Sequence, residues 1–536
     1  MSTTADEKIG PEHDQRLEHS PEYATKEQLE QYRLTDENAV EPGFWQTILK
    51  RGEYTAFYQE ALDRYGEHAI DPLREARLKR KMDWIILPIL AVCYFFYYVD
   101  KTTLSYAAIF GIREDLNLQG QEYAWLSSVF YFGWMAWAIP TNLIMQRSPP
   151  STYLGINICF WGIFLMLQAL SQNFTHMVVL RVLSGAAEAI ADPAFMLVTA
   201  MWYTRGEQPT RISIWYAANG IGVAGGGLIG YGIGNIKGSL ASWRYEFIIV
   251  GAFCTAWGIF IIFYLPNTIA GCRFISRDER MFMVARLRKN QTGIETKAGI
   301  KMDQLREFFM DPKSYLFFFL GLVGNIPNGG ISNFSTLIIQ GLGFDILETS
   351  LLGIPQGALV VIWIGAGAYL NTRLPNNSRT WVCMLFMIPT IAGALGFLLA
   401  PNEANVGRLI CYYLTGSYQA SFVIGLSLIT SNVGGQTKKQ LTSAIIFVGV
   451  CVGNIAGPFF FRSEQAPNYP LGIGAILVCN ILEFFTFLAF RFLFIRANKR
   501  KEAERAQRKA EGVADANVTA LADITDWENP NFVYVY

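Results

Sequence analysis

Charged side chains are scarce in this chain of 536 residues: they make up 16% of it, whereas hydrophobic residues make up 51%. A soluble protein carries about 25% charged residues and divides its apolar residues among several domains at this length. Here the apolar residues gather in twelve runs, each of about 20 residues, which is long enough to cross a bilayer. The runs lie near residues 84–109, 121–145, 152–171, 175–201, 212–235, 245–266, 314–340, 348–370, 379–400, 407–432, 440–461 and 470–495. The composition excludes a soluble enzyme and predicts an all-α integral membrane protein.

Several other features are missing. The formal net charge is +0, so nothing indicates a nucleic-acid partner. The eight cysteines lie in or beside the apolar runs without CxxC spacing, which favours neither a disulfide framework nor a metal site, and no cofactor motif is found. The polar, acidic start predicts no cleavable signal peptide. The only histidine within the bounds of an apolar run is His176, at the mouth of the fourth run, so a carboxylate must carry any proton that crosses with a solute.

The runs fall into two sets of six. The predicted organisation is an N-terminal tail (1–83), a first six-helix half (84–266), a central loop (267–313), a second six-helix half (314–495) and a C-terminal tail (496–536). Lysine and arginine concentrate before the first run, in the central loop and in alternate short loops, which predicts that both termini are cytoplasmic. Two halves around a cytoplasmic loop are typical of transporters with a midplane substrate site, and a non-transporting receptor or scaffold is the alternative.

Three local patterns predict structure outside or between the spans. Helical spacing of Tyr54, Phe57, Tyr58 and Leu62 predicts a helix in the N-terminal tail, and residues 275–288 and the basic run after Arg496 predict two more. Glycines recur every four residues in the fifth and eleventh spans. This spacing favours close packing of helices in lipid over a ligand site. The glycines are Gly222, Gly226, Gly230, Gly449, Gly453 and Gly457.

Ionisable residues interrupt the first and fourth spans. Arg181 and Glu188 are seven residues apart, so both project from one face of a helix, and Asp192 extends that face. Asp100 and Lys101 fall at a depth similar to that of Arg181. Each ionised group near the bilayer centre costs about 2.5–3.5 kcal/mol, which predicts a shared polar interior. Glu188 is the first candidate for the proton carrier and Asp100 the second; a purely structural charge cluster is the alternative.

The second half has amides where the first has charges. Amides at the midplane either hydrogen-bond a polar solute or bridge helices, and the stretch 325–333, with its Pro-Asn-Gly-Gly break, favours lining a site. With Lys101 and Arg181 holding a carboxylate, these amides predict a site for an organic acid. The predicted amide residues are Asn219, Asn325, Asn328, Asn333, Gln356 and Asn454. Tyr418, Gln419 and Ser421 of the tenth span are the further positions expected to select the substrate.

Over about residues 80–495 the chain resembles the major facilitator superfamily, specifically its anion:cation symporter group, typified by fungal allantoate permeases. The resemblance is carried by VDKTTLSYA (99–107), by Arg181 with Gly185 and Glu188, by PNGGISNF (327–334) and by GNIAGP (453–458). It implies twelve helices that work by alternating access and import organic monoanions with protons. It also implies an acid–base pair at Asp100–Lys101 and a second pair at Arg181–Glu188.

Competing functions remain at this point. Proton-coupled import of a ureide, vitamin or related monocarboxylate is the first; proton-coupled efflux of a carboxylated metabolite and a non-transporting nutrient sensor are the others. The fifth span lacks the Gly-Pro common in efflux antiporters, which favours import. The expected setting is the plasma membrane, and the expected partners are the organic anion, protons and lipid, with the protein itself monomeric.

Overall fold

Apolar runs separated by polar turns fold here into a helical bundle. The computed structural model describes residues 57, 60, 61, 64, 65, 71–204, 207–288, 301–510 and 524–536, and no strand occurs among them. Twelve helical elements follow the predicted runs. They are α1 (Pro72–Ile109), α2 (Glu122–Arg147), α3 (Pro150–Gln168), α4 (Phe174–Glu188 and Ala191–Trp202), α5 (Gln208–Tyr216 and Ala218–Gly234), α6 (Ser242–Tyr264), α7 (Pro312–Gly341), α8 (Ile346–Leu351 and Gly353–Arg373), α9 (Arg379–Leu399), α10 (Asn405–Leu414 and Tyr418–Asn432), α11 (Gln436–Ala456) and α12 (Pro470–Ala510).

Nine helices of the described chain are long and apolar enough to cross a membrane. The other three are α2, α7 and α10, which carry more polar atoms. Tyrosines and tryptophans lie along α2, three asparagines interrupt α7, and a 3-10 turn at Thr415–Ser417 divides α10. Polar atoms at membrane depth are tolerated where they face protein or a water-filled cavity. The architecture is two six-helix halves, α1–α6 and α7–α12.

Two helices extend well beyond the apolar runs that predicted them. The run near 84–109 belongs to a helix that begins at Pro72, because Asp71 caps it by accepting from the backbone N–H of Leu73 at 2.9 Å. At the other end, α12 continues through the predicted basic run to Ala510. The central-loop prediction is confirmed by a helix at Arg277–Arg288. Of the predicted N-terminal helix, Tyr54, Tyr58 and Leu62 lie outside the described residues.

Glycine spacing has the packing role that the sequence predicted. A Cβ on Gly222 would lie 2.7 Å from the carbonyl oxygen of Phe95 on α1, and one on Gly226 would lie 2.7 Å from Oγ1 of Thr102. On α11, Cβ atoms on Gly449 and Gly453 would lie 2.3 and 2.5 Å from carbonyl oxygens of α7. Helix α5 is thus pressed against α1, and α11 against α7, by equivalent glycine faces.

We call the end where α1 begins and α12 ends the terminal face, and the opposite end the distal face. At the terminal face of the first half, Arg286 of the helix Arg277–Arg288 is 1% exposed. Its Nε lies 2.8 Å from Oε1 of Glu75 at the start of α1, and its other end pairs with Glu207 at the start of α5. A segment that follows the first half therefore ties α1 to α5.

The second half has an equivalent cluster with the charges reversed. Residues 524–536 fold back on the terminal face, where Asp526 is 0% exposed. Asp526 pairs with Lys313 at the start of α7 and, at 2.9 Å, with Lys438 at the start of α11. Lys438 also lies 2.7 Å from Asp311 and 2.6 Å from Glu307. The carboxylates of Glu307, Asp311 and Asp526 are thus already neutralised in part by two lysines.

Candidate functional site

Asp100 lies on α1 in the interior of the first half and is 1% exposed. Its Oδ2 accepts a hydrogen bond of 3.0 Å from the indole nitrogen of Trp161 on α3. Its Oδ1 has no hydrogen-bond partner among the described residues. The indole fixes the direction of the carboxylate but leaves one oxygen unpartnered, facing the interior of the first half.

Helix α4 breaks just after Glu188. The turn at Ala189–Ile190 follows from Pro193, because proline has no N–H to donate to the carbonyl of residue 189, four positions earlier. Glu188 is 2% exposed, and both of its carboxylate oxygens lack a hydrogen-bond partner among the described residues. Asp192 lies in the first turn after the break and is less buried; its Oδ2 accepts from the hydroxyl of Tyr97 at 3.4 Å.

The two cations are held by aromatic rings and backbone rather than by carboxylates. The ammonium of Lys101 lies 4.0 Å from the ring centre of Tyr97 and 5.0 Å from that of Tyr98. Arg181 is 4% exposed; its Nε donates to the carbonyl of Leu126 at 3.2 Å, and its guanidinium lies 5.4 Å from the ring of Phe130. In the described part of the chain, neither cation has a carboxylate oxygen within 4.0 Å.

The expected pairs along each helix are therefore not formed as contacts. The strongest cationic influence on Asp100 comes from Arg181 on the neighbouring α4, and the strongest on Glu188 comes from Lys101 on α1. The four groups interact more strongly across the two helices than along them. Apart from the bond from Nε of Arg181 to Leu126, neither cation has a hydrogen-bond acceptor among the described residues.

Three of the predicted amides meet where α7 faces α10 and α11. Nδ2 of Asn328 donates to Oδ1 of Asn454 at 2.9 Å, and Nδ2 of Asn454 donates to Oδ1 of Asn325 at 3.2 Å. The hydroxyl of Tyr418 on α10 donates to Oδ1 of Asn328 at 3.2 Å. We call Asn325, Asn328, Asn454 and Tyr418 the amide cluster. Its members bridge helices, and Asn328 remains partly exposed.

The other polar residues that the sequence predicted for the site lie apart from the amide cluster. Asn333 bonds the carbonyl of Gly329 on its own helix at 2.8 Å, and Gln356 donates to the hydroxyl of Tyr412 at 3.3 Å. Asn219 of α5 donates to Oε1 of Gln419 on α10 at 2.9 Å, which joins the two halves. Ser421 donates to the carbonyl of Cys383 on α9 at 2.7 Å and is fully buried, so it points away from the amide cluster.

Direct hydrogen bonds hold the two halves together at the distal face. The hydroxyls of Ser105 on α1 and Thr336 on α7 lie 2.8 Å apart. The hydroxyl of Tyr123 on α2 donates to the carbonyl of Asn333 at 2.7 Å, and that of Ser128 donates to the carbonyl of Ile455 at 2.8 Å. The charged groups of the first half and the amide cluster lie on the terminal side of these contacts.

Aromatic residues complete the site, and of these only Tyr418 was expected from the sequence. Trp161 orients Asp100, Tyr97 contacts both Lys101 and Asp192, and Tyr418 joins the amide cluster. Tryptophan and tyrosine are ordinary constituents of apolar helices. Their polar atoms reveal a role only when the neighbouring helix is in place.

Comparison with known proteins agrees with this architecture. The sequence model of the Major Facilitator Superfamily matches residues 90–458. An uncharacterised transporter of Schizosaccharomyces pombe is 35% identical over 94% of this chain and 92% of its own length. The allantoate permease of Saccharomyces cerevisiae is 33% identical, with 87% and 88% covered. The thiamine pathway transporter THI73 of the same yeast is 32% identical, with 89% of each chain covered.

Solved structures extend the similarity to the fold. A bacterial homologue of the human lysosomal transporter Spinster, in an inward-facing and unoccupied conformation, superposes with a TM-score of 0.58 at 16% identity. The match covers 79% of this chain and 97% of that one. The family match, the long relatives and the two six-helix halves identify the chain as a secondary transporter that belongs to the Major Facilitator Superfamily.

Proposed function

We propose that this transporter imports a small organic monoanion together with a proton. The observation that carries the proposal is the state of Glu188: a fully buried carboxylate with no hydrogen-bond partner among the described residues, near two cations that contact no carboxylate. A buried carboxylate without donors or an adjacent cation is strongly disfavoured in its ionised form. Glu188 is therefore suited to take up a proton inside the closed protein.

The sum of the charges in the site explains why a proton is coupled to the anion. With Asp192 taken as uninvolved, Asp100 and Glu188 contribute −2 and Lys101 and Arg181 contribute +2, so the empty site is neutral. A bound monocarboxylate makes it −1, in an interior that must close before it reorients. Protonation of one carboxyl restores neutrality. Glu188 is the preferred carboxyl because neither of its oxygens has a hydrogen-bond donor that stabilises the ionised form. One proton then accompanies each anion.

The substrate class rests on the donors available. Lys101 and Arg181 suit a single carboxylate, and the amide cluster together with Gln419 and Asn219 suits a polar, uncharged body with both donor and acceptor groups. Ureides and carboxylated vitamins have this chemistry, and the name of one yeast relative, an allantoate permease, is compatible with it. We place the terminal face in the cytoplasm and the protein in the plasma membrane, as the distribution of basic loops favours.

The test begins with an uptake screen of candidate acids in permease-deleted yeast at two external pH values. Uptake of the transported acid is expected to rise as pH falls and to collapse with a protonophore. Glu188→Gln mimics the protonated carboxyl, so it should exchange substrate in counterflow but fail to accumulate it against a gradient. Glu403→Gln, at an exposed carboxylate of the α9–α10 loop, is the matched control and should behave as wild type.

Two outcomes contradict the proposal. If Glu188→Gln still accumulates substrate in a pH-dependent way, another group carries the proton, and Asp100→Asn is the next variant. If wild-type uptake ignores both pH and protonophore, the transport is not proton symport. Outward transport that depends on the proton gradient would favour efflux of a carboxylated metabolite instead.

A further inference from the structure

A second buried carboxyl group lies deep in the other half. Glu483 of α12 is 0% exposed, and neither of its carboxyl oxygens has a hydrogen-bond partner among the described residues. It lies about 20 Å along α12 from Pro470, which places it near the level of the bilayer centre. No interaction described so far uses it.

Its surroundings are polar on one side only. Asn480, three residues earlier on the same face of α12, is also 0% exposed, and its amide nitrogen and oxygen both lack partners in the described structure. Opposite them, a Cβ on Gly324 of α7 would lie 3.5 Å from each carboxyl oxygen and 3.3 Å from the ring of Phe422 on α10. The glycine lets the α7 backbone approach the carboxyl directly.

The charge of Glu483 is uncompensated. The titratable groups that face it are Cys383 of α9, Tyr418 of α10 and Cys479 of α12 itself. None of these is a cation, and no lysine or arginine of the described chain forms an ion pair with Glu483. An isolated carboxylate in a low-dielectric interior is so costly that such a group is kept neutral by binding a proton.

One helix connects this carboxyl to the amide cluster. Gly324 immediately precedes Asn325 on α7, and Tyr418, which faces Glu483 from α10, donates to Asn328. The break that the sequence predicted at Pro327 is absent, since α7 is one continuous helix, so a movement of α7 changes the surroundings of both groups at once. Two sites biased by the same moving element are energetically coupled.

We propose that Glu483 and Asn480 form a second proton-binding site. In this conformation the carboxyl of Glu483 holds a proton, and it releases the proton to water when α7 moves away. The amide oxygen of Asn480, which has no other partner in the described structure, becomes the acceptor of that proton once the two side chains turn toward each other. The proposal deepens the proton coupling proposed above by adding a proton site in the second half. Binding of the proton itself does not depend on Glu188 or on the identity of the substrate.

The test is infrared difference spectroscopy on the purified full-length protein in lipid, in which protons and deuterons are the only ligands. Glu483→Gln should remove one carbonyl band of a protonated carboxyl. In the wild type that band should shift in D2O and lose intensity as pH is raised. Asn480→Leu should move the same band to higher frequency, since the acceptor is lost. Glu246→Gln, at a carboxyl of α6 that is equally buried and unpartnered among the described residues, should leave it in place.

Each contrary result is decisive. If Glu483→Gln removes no such band, Glu483 is ionised and the site is not a proton site. If the band is present but neither exchanges with deuterium nor responds to pH in the folded protein, its proton is static. If Asn480→Leu leaves the band unmoved, the amide is not its acceptor. Should Glu483→Gln fail to fold, Glu483→Asp, which shifts the acid rather than deleting it, gives the same comparison. Because no substrate is used, these results stand whether or not symport through Glu188 holds.

Discussion

Arg181 is buried, yet the contacts it makes are modest: one backbone carbonyl and the face of one ring. A purely structural arginine at this depth would be expected to pair with Asp100 or Glu188 directly. We therefore predict that Arg181→Ala abolishes uptake of the transported acid while the abundance of the protein in the membrane stays near wild type. Arg181→Lys should recover little of the uptake, because an ammonium cannot bind a carboxylate through two parallel hydrogen bonds.

The measurement is initial uptake normalised to the amount of protein at the cell surface. Arg462→Ala removes an exposed arginine at the distal face and serves as the control that should transport normally. Normal transport by Arg181→Ala would show that the carboxylate is bound elsewhere.

At the scale of single residues, sequence identified the ionisable groups because each is costly in an apolar run. Asp100, Arg181 and Glu188 are all buried inside the first half, as that argument requires. The sequence could not show that Asp100 is oriented by Trp161, since spacing along a chain does not indicate which neighbouring helix supplies a donor. The orientation of the amides was harder still to predict. Asn333 donates to the backbone of its own helix, whereas Asn328 donates to Asn454 on α11, although both lie in one short motif.

Helix contacts depend on glycines that admit no side chain. A Cβ on Gly453 would lie 2.5 Å from the carbonyl oxygen of Leu322, so Gly453→Ala forces α11 away from α7. We predict a loss of stability of about 1–3 kcal/mol, the usual cost of overpacking. Gly474→Ala is the matched control, because a Cβ there meets no atom within 4 Å. Thermal unfolding of the two purified variants checks this, and equal melting temperatures would contradict it.

The folded-back segment 524–536 makes a separate prediction about stability. Asp526→Asn removes one of two buried carboxylates that pair with Lys313 and Lys438, and Asp311 remains as the other. The loss of stability should therefore be smaller than the about 3–5 kcal/mol that breaking an isolated buried pair costs. The melting temperature of the purified variant should fall clearly, whereas Glu502→Gln, at an exposed carboxylate of α12, should leave it unchanged. An unchanged melting temperature for Asp526→Asn would mean that the segment is not held by these lysines.

The same cluster determines the pH range over which Asp526 stabilises the folded protein. Burial disfavours the charged form of Asp526, but Lys313 and Lys438 outweigh this effect and hold the pKa of the carboxyl below its usual value. A lowered folded pKa gives stability that is present above the unfolded pKa of about 3.9 and is lost as pH falls through the folded pKa. The contribution of Asp526 should therefore be constant between neutral and mildly acidic pH, including the range in which uptake is stimulated.

Whole elements were predictable to the extent that they are apolar. All twelve runs became helical elements because a membrane helix must satisfy its backbone internally, whatever its neighbours. The start of α1 at Pro72 was not predicted, since a cap lies outside the apolar signal. The basic helix after Arg496 was predicted, but not that it continues α12 without interruption. The folding of the segment 524–536 onto the terminal face was not predicted. Its packing depends on lysines more than 80 residues away in the chain.

At the scale of the whole molecule, the two halves repeat one plan. In each, a glycine face presses the fifth helix of the half against the first, and a charged segment that follows the half ties their terminal ends together. Each half is thus braced internally. The halves meet through hydrogen bonds and ring contacts at the distal face and through close packing of α5 on α8, where a Cβ on Gly357 would lie 2.3 Å from the carbonyl oxygen of Gly220. Two internally braced halves are what rocking about a central site requires.

The distal contacts must then break in every transport cycle, which leads to a last prediction. Ser105 and Thr336 lie on different halves with their hydroxyls 2.8 Å apart, close enough for a disulfide between two cysteines at these positions. The double variant Ser105→Cys/Thr336→Cys should transport in reducing conditions, lose uptake after mild oxidation and recover it with a reductant. The wild type and each single variant should be insensitive to the same oxidant, which controls for the native cysteines, all free among the described residues. Continued uptake by the cross-linked protein would mean that the distal face stays closed while substrate passes, and the two halves would not exchange access by rocking apart at Ser105 and Thr336.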